Sequence, residues 1–121
     1  MPKLSNKSRI KLDSCHADLK RLAEAVAIEA PISVICGYRG KAEQETAFRE
    51  GKSKARFGQS KHNSNPAEAV DIVPLPLDWN DIESFEQLGA IIQKKADELG
   101  VKVKWGKYFT NLKDYPHWEL V

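Results

Sequence analysis

The chain of 121 residues is 41% hydrophobic and 30% charged, and its formal net charge is +2 at pH 7. This length and composition predict one globular domain over residues 1–121 and exclude a disordered chain. The small charge is spread along the sequence, whereas nucleic-acid-binding proteins normally have a clustered basic face, so we expect no nucleic-acid partner.

The sequence also bears on membranes and on redox chemistry. No apolar run approaches the ~20 residues of a membrane-spanning helix, so we expect no stable membrane insertion. The segment MPKLSNKSRIKL has no continuous apolar core, so we expect no signal peptide and synthesis in a cytoplasm. Cys15 and Cys36 are far apart and form no Cys-x-x-Cys motif. We expect two reduced, buried thiols, with a disulfide as the open alternative.

The first predicted helix begins with Asp13 or Ser14 as its cap and runs to about Glu29. Its apolar face consists of Leu19, Leu22, Ala23 and Val26. Pro31 follows, and SVIC (33–36) then predicts a short buried strand. A second helix is predicted over residues 42–50.

Gly51 ends the second helix, and the polar segment 52–66 predicts a surface loop before the strand AVDIV (69–73). Asp81 caps a third helix that ends at Gly100, and its predicted apolar face is Ile82, Phe85, Leu88, Ile91, Ile92 and Leu99. VKVKW and HWELV predict two last strands. This order predicts an α+β domain with a small, mostly antiparallel sheet and helices packed around it.

Two of the three histidines stand near aspartates at the edges of predicted strands. His62 lies in the loop before the strand that contains Asp71, and His117 begins the last strand. Two imidazoles and a carboxylate are ligands that zinc accepts, and a catalytic zinc site leaves one further position for water. These three residues could therefore meet at one metal ion.

Asp114 precedes His117 by three residues, with Pro116 between them. Because a proline disfavours helical angles in the residue before it, the two side chains flank a bend, where the carboxylate could act as a general base. On spacing alone, however, His-x8-Asp has no specific meaning. A capping or surface histidine near an acid is then the favoured interpretation.

Two longer segments, SKHNSNPAEAVDI (60–72) and DYPHWEL (114–120), change this balance. Together they resemble the active-site signature of the zinc D-alanyl-D-alanine carboxypeptidase and L-alanyl-D-glutamate endopeptidase family. CGYRGKAEQ (36–44) resembles the family's Tyr-Arg and Glu-Gln after a strand, and LDSCHADLKRLAEA (12–25) resembles its opening helix. The resemblance covers almost the whole chain, and the phage lysin branch is the most similar.

This resemblance implies a hedgehog/D-Ala-D-Ala-peptidase-like fold and one Zn²⁺ ion. The implied zinc ligands are His62, Asp71 and His117. The implied catalytic residues are Asp114 as the base and Arg39 as the cation that neutralises the oxyanion. The implied substrate-binding residues are Ser60 and Gln44. Asp114 departs from the glutamate of many carboxypeptidase relatives, which leaves the substrate class open.

The function implied is zinc-dependent hydrolysis of the stem peptide of bacterial peptidoglycan between L-alanine and D-glutamate. The enzyme would be a monomeric phage endolysin, made in the host cytoplasm, that reaches the cell wall after membrane permeabilisation. One alternative is a D-Ala-D-Ala carboxypeptidase of the same fold. Another is a non-catalytic cell-wall-binding module stapled by zinc, although such a site needs neither Asp114 nor Arg39.

Three further side chains have simpler interpretations. His16, near the start of the first helix, is expected to be structural or exposed. Trp118 alternates with His117 on the last strand, so we expect it to pack in the core. Glu119 shares the strand face of His117 and could orient that imidazole.

Overall fold

The computed structural model describes residues 4–110 and 113–121. In chain order its regular elements are α1 (Asn6–Asp13), α2 (Ala17–Glu29), β1 (Ile32–Cys36), α3 (Lys41–Arg49), β2 (Ala69–Pro74), α4 (Ile82–Leu99), β3 (Val103–Trp105) and β4 (His117–Leu120). Short 3-10 turns cover Lys61–Asn63 and Gly106–Tyr108. The strands form one antiparallel sheet in the order β1-β2-β4-β3, which confirms the predicted α+β class.

The register of the sheet separates a core face from a site face. Asp71 of β2 pairs with Cys36 on one side and with His117 on the other. In the next row of this face, Glu119 pairs with Lys104 of β3. Since successive side chains of a strand point to opposite faces, the residues between these face the core. They are Val70, Ile72, Trp105 and Trp118.

Helices α2 and α4 pack against each other and cover the core face. The four residues predicted for the apolar face of α2 are all fully buried. In α4 the predicted residues Phe85, Leu88 and Ile92 are buried. Ile82, predicted for the same apolar face, is 40% exposed and does not join the core. It begins the helix directly after the cap and lines a cleft instead.

Two tryptophans of the core stack on each other. The rings of Trp105 and Trp118 stack with centroids 5.1 Å apart and planes 6° apart. Gly89 allows the Trp105 ring to pack directly against α4, because a Cβ at this position would lie 2.3 Å from the ring. The core position predicted for Trp118 is therefore confirmed.

The N-terminal cap of the first predicted helix was wrong. A separate helix, α1, occupies residues 6–13, and Ser14 is its C-terminal cap. Only Ser8 and Leu12 of α1 are buried, so the sequence of this helix lacks the apolar stripe by which a helix is predicted. His16 caps α2, with its Nδ1 accepting from the backbone N–H of Asp18 at 3.0 Å.

The other helix ends follow the local signals. The Asp81 carboxylate accepts from the backbone N–H of Ser84 at 3.1 Å and caps α4. Gly51 and Gly100 follow α3 and α4 with φ of 74° and 70°, the left-handed region that glycine adopts without strain. Among the described residues, no helix combines the length and apolar character needed to cross a membrane.

Candidate metal centre and active site

Three buried side chains converge on the site face of the sheet. Nε2 of His62 lies 3.1 Å from Oδ1 of Asp71 and 3.1 Å from Nδ1 of His117. The Asp71 and His117 atoms are 3.4 Å apart. All three residues are at most 8% exposed. The sequence proposed this triad, and the fold brings it together from a turn and two neighbouring strands.

The turn that presents His62 is held by its own polar side chains. Ser60 caps the 3-10 turn, with its hydroxyl accepting from the backbone N–H of His62 at 3.2 Å. Asn63 returns the contact, since its Oδ1 accepts from the N–H of Ser60 at 3.2 Å. The N–H of Arg39 donates to the carbonyl of His62 at 2.7 Å, which ties the turn to the end of β1. These contacts fix where the imidazole enters the site.

The outer nitrogen of each histidine faces an acceptor. Nδ1 of His62 lies 2.8 Å from the carbonyl oxygen of Gly37, and Nε2 of His117 lies 2.8 Å from Oε1 of Glu119. A carbonyl or carboxylate oxygen only accepts, so these nitrogens donate. When each imidazole is neutral, the lone pair of its other nitrogen points toward Asp71. This inner nitrogen is Nε2 in His62 and Nδ1 in His117. Two nitrogen lone pairs and a carboxylate oxygen at one point form a donor set that fits a zinc ion.

Cys36 lies beside this triad. Its Sγ forms a second group with His62 and Asp71 that could hold a metal ion, with one ligand atom from each within 4.8 Å of the others. The sulfur is nevertheless 3.7 Å from Nδ1 of His62, the nitrogen that faces Gly37. The shorter distances around Nε2 favour His117 over Cys36 as the third ligand. Cys15 and Cys36 are both free thiols, and Cys15 is buried as predicted, whereas Cys36 is only half-buried.

The charges of the triad are strongly coupled. Burial opposes protonation of His62, but the Asp71 carboxylate outweighs it and raises the pKa of His62 to about 10. Burial also opposes the charge of Asp71, yet the two imidazoles hold the pKa of that carboxyl well below its usual range. The pKa of His117 is raised against burial by its hydrogen bonds to Asp71 and Glu119. In the metal-free protein His62 therefore carries a proton that a cation would have to displace.

Arg39 lies at the edge of the site, three residues after the end of β1. Its Nη2 is 3.8 Å from Oδ2 of Asp71, and its Nη1 donates to Oε1 of Gln44 at 3.1 Å. Gln44 is fully buried and also donates to the carbonyl of Ala55 at 2.7 Å. It does not line the cleft, so the structure does not support the direct substrate contact predicted for it. Gln44 instead fixes the Arg39 guanidinium through this hydrogen bond, from the interior side.

Asp114 stands next to His117 on the open side of the triad. Its Oδ2 lies 3.9 Å from Nδ1 of His117, and its side chain is 35% exposed. The predicted bend is a turn in which the N–H of His117 donates to the carbonyl of Asp114 at 3.1 Å. Burial, and then the nearby Asp71 carboxylate, raise the pKa of Asp114. A raised pKa makes the ionised carboxylate a stronger base than that of an exposed aspartate.

An open cleft of about 970 Å³ contains these residues. The triad, Arg39 and Asp114 lie along it, and Ser60 lines it while capping the His62 turn. The lining also includes two exposed aromatic side chains, Trp79 and Tyr108, which the sequence did not identify as site residues. The only signal was an aromatic side chain in a polar stretch, which does not by itself separate a cleft wall from a surface residue.

A comparison with known families fits this geometry. A family model described as phage L-alanyl-D-glutamate peptidase matches residues 1–120.

The chain belongs to this family.

Two individual relatives agree with the family model. The chain is 25% identical over 119 residues to the L-alanyl-D-glutamate peptidase of Escherichia phage T5, covering 93% of this chain and 85% of that protein. Among solved structures, the Serratia marcescens L-Ala D-Glu endopeptidase ChiX superposes with a TM-score of 0.83 and 29% identity. That match covers 99% of this chain and 91% of ChiX. The predicted family, its phage branch, the fold and the assignment as a peptidase are confirmed.

Proposed function

We propose that this peptidase cuts the L-alanyl-D-glutamate bond in the stem peptide of bacterial peptidoglycan and that it depends on zinc. The observation that carries the proposal is the convergence of His62, Asp71 and His117 in a cleft that also contains Asp114 and Arg39. The names of the family and of both relatives support the bond. One chain supplies every residue of this site, so the proposed reaction needs no residue from a second copy.

The zinc ion would be held by Nε2 of His62, Asp71 and Nδ1 of His117. When bound, zinc polarises a carbonyl oxygen and makes water acidic enough to attack at neutral pH. The protein prepares these ligands with two outer contacts, since Gly37 and Glu119 fix the imidazole tautomers.

Asp114 would be the general base. Its carboxylate is beside the triad and reaches the cleft, so it can accept a proton from the attacking water. The same carboxyl can then return the proton to the amine of the leaving D-glutamate residue. A positioned acid–base group of this type contributes ~10²–10⁴-fold in rate.

Arg39 would stabilise the oxyanion that develops on the carbonyl oxygen. Its guanidinium lines the cleft and is held in place by Gln44, so little reorganisation is needed when the negative charge forms. Ser60 would act by placing His62 through the cap of the 3-10 turn. Gln44 would act in the same indirect way on Arg39.

Mass spectrometry of purified peptidoglycan after digestion by the zinc-loaded protein tests the proposal. We expect fragments that begin with D-glutamate, together with glycan strands that keep only L-alanine. Release of terminal D-alanine alone would identify a carboxypeptidase of the same fold. Intact peptidoglycan that binds the protein would instead support the zinc-stapled wall-binding module.

A further inference from the structure

The substrate of the proposed reaction has a negative charge close to the bond that is cut. Glutamate has two carboxyl groups, and only one of them can continue a peptide chain. An L-alanyl-D-glutamate unit inside a longer peptide therefore keeps one free carboxyl group on the residue whose nitrogen is released. That group is ionised at neutral pH. A cation on the cleft wall near the triad could recognise it.

Five lysines line the cleft: Lys52, Lys54, Lys61, Lys104 and Lys113. Two of them have partners within the protein. Lys52 lies 3.1 Å from Glu50, and Lys61 donates to the carbonyl of Leu120 and lies 3.8 Å from Glu119. Of the five, Lys104 alone is mounted on a strand of the sheet. A strand places a side chain more rigidly than a loop does, so Lys104 is the best positioned of the five lysines.

The position of Lys104 relative to the triad follows from the sheet and one aromatic ring. Lys104 lies opposite Glu119 in the pairing of β3 with β4, and Glu119 accepts a hydrogen bond from His117. Its Nζ lies 5.3 Å from the centre of the Phe109 ring. The centre of that ring is 5.2 Å from the centre of the His117 ring. One aromatic ring therefore separates the ammonium group from a proposed zinc ligand.

The charge of Lys104 is available to a ligand. Within residues 4–110 and 113–121, it takes part in no ion pair, and its side chain is exposed. Glu119, its partner across the strands, is engaged by His117 at 2.8 Å and by Lys61 at 3.8 Å. The ring of Phe109 supports the ammonium group without neutralising it.

We propose that Lys104 binds the free carboxylate of the D-glutamate residue and so determines specificity for that residue over its amide. This inference rests on the proposed function. The carboxylate has the same charge before and during bond cleavage, so its contact with Lys104 stabilises the ground state and the transition state alike. Loss of the contact should raise KM and leave kcat nearly unchanged.

A two-by-two comparison tests the inference. The enzymes are the zinc-loaded parent and Lys104→Met, which keeps an unbranched apolar side chain against Phe109 but removes the charge. The substrates are a stem peptide with D-glutamate and the same peptide with the free carboxyl group amidated. We expect Lys104→Met to lose about ten-fold in kcat/KM on the carboxylate substrate and less than about two-fold on the amide. Lys102→Met, outside the cleft and two residues earlier, is the matched control and should change neither value.

The outcomes separate the two proposals. An equal loss on both substrates would assign Lys104 a structural role through Glu119 and overturn the inference alone. The inference also fails if Lys61→Met shows the carboxylate-specific loss while Lys104→Met does not. A parent enzyme that cleaves neither substrate would overturn the proposed function, and the inference with it.

Discussion

The Nε2 nitrogen of His117 and the carboxylate of Glu119 lie 2.8 Å apart, and this contact turns Nδ1 of the same imidazole toward Asp71. The hydrogen bond to His117 holds the pKa of Glu119 below its usual range, so the acid is ionised and accepts. Glu119 thus orients His117, a proposed metal ligand, from the same face of β4.

The first prediction is that Glu119→Gln weakens zinc binding without removing it. The amide keeps the shape of the side chain, but it no longer offers a charged acceptor to His117. Outer contacts of this type are typically worth ~10–100-fold in metal affinity. Competition with a zinc chelator measures the change. Glu86→Gln, an acid on the exposed face of α4, is the control, and an unchanged affinity in Glu119→Gln would rule out this support.

The second prediction separates the two candidate ligand sets. If His117 completes the site, His117→Ala should lose most of the roughly one zinc per chain that the triad predicts, and Cys36→Ser should keep it. His62→Ala should lose zinc in either case, because both sets contain it. Elemental analysis of purified variants gives the stoichiometry. Zinc loss in Cys36→Ser together with retention in His117→Ala would reverse the assignment.

The parts of the fold predicted correctly are those with local signals. Helix α4 has an aspartate cap, an apolar stripe and a glycine at its end, each within a few residues of the chain. Helix α1 has no such stripe, because it packs against β1 through Ser8, whose hydroxyl accepts from the N–H of Val34 at 2.9 Å. A polar contact over 26 residues leaves no periodic pattern in the sequence.

The site shows the same division. The metal ligands could be proposed because their motif lies in two segments whose residue types are specific in combination. Gln44 was assigned to substrate binding through the resemblance of CGYRGKAEQ to the family, but its helix turns the amide into the interior. Trp79 reaches the cleft through the packing of α4, and Lys104 reaches it through the register of the sheet. Neither position can be predicted from the sequence before the chain is folded.

The third prediction concerns the metal-free protein. Its His62 keeps a proton up to a pKa of about 10, whereas an unfolded histidine releases it near 6.5. The stabilisation of the folded state by the proton on His62 is therefore complete below pH 6.5 and is lost as the pH rises toward 10. After zinc removal, the free energy of unfolding should fall by at least about 1 kcal/mol between pH 6.5 and 9.5. Denaturant titrations measure it.

His62→Gln is the control for this pH dependence, since it removes the titrating group and should flatten the profile. Zinc-loaded parent protein should also lack the effect, because the metal replaces the proton on His62. An equally steep decline in the Gln variant would assign the dependence to other groups.

The fourth prediction is that Arg39→Ala lowers kcat far more than it raises KM. The oxyanion exists only in the transition state, so the guanidinium contributes there and not to substrate binding. Loss of one such donor typically costs ~10²–10³-fold in kcat. Steady-state kinetics on a defined stem peptide separates the two constants. Arg56→Ala removes an arginine that pairs with Glu45 outside the cleft, and it should leave both unchanged. A change confined to KM would make Arg39 a substrate-binding residue.

The last prediction separates Asp114 from Asp71, two carboxylates of one site with different proposed roles. Asp114→Asn keeps the size of the side chain and removes the proton acceptor, while the three proposed ligands remain. It should bind zinc nearly as well as the parent and lose at least ~10²-fold in kcat, the lower end of general-base contributions. Asp71→Asn should instead lose zinc affinity first, and excess metal should restore part of its activity.

The pH profile gives Asp114 a second, independent test. The base must be ionised, so kcat/KM should fall as the pH drops through its pKa. Burial and the Asp71 carboxylate raise that pKa in the metal-free protein, and a bound zinc ion acts in the opposite direction. The acid limb of the profile should be missing from the residual activity of Asp114→Asn. The base assignment fails if that variant is as active as the parent, or if added zinc alone cures its defect.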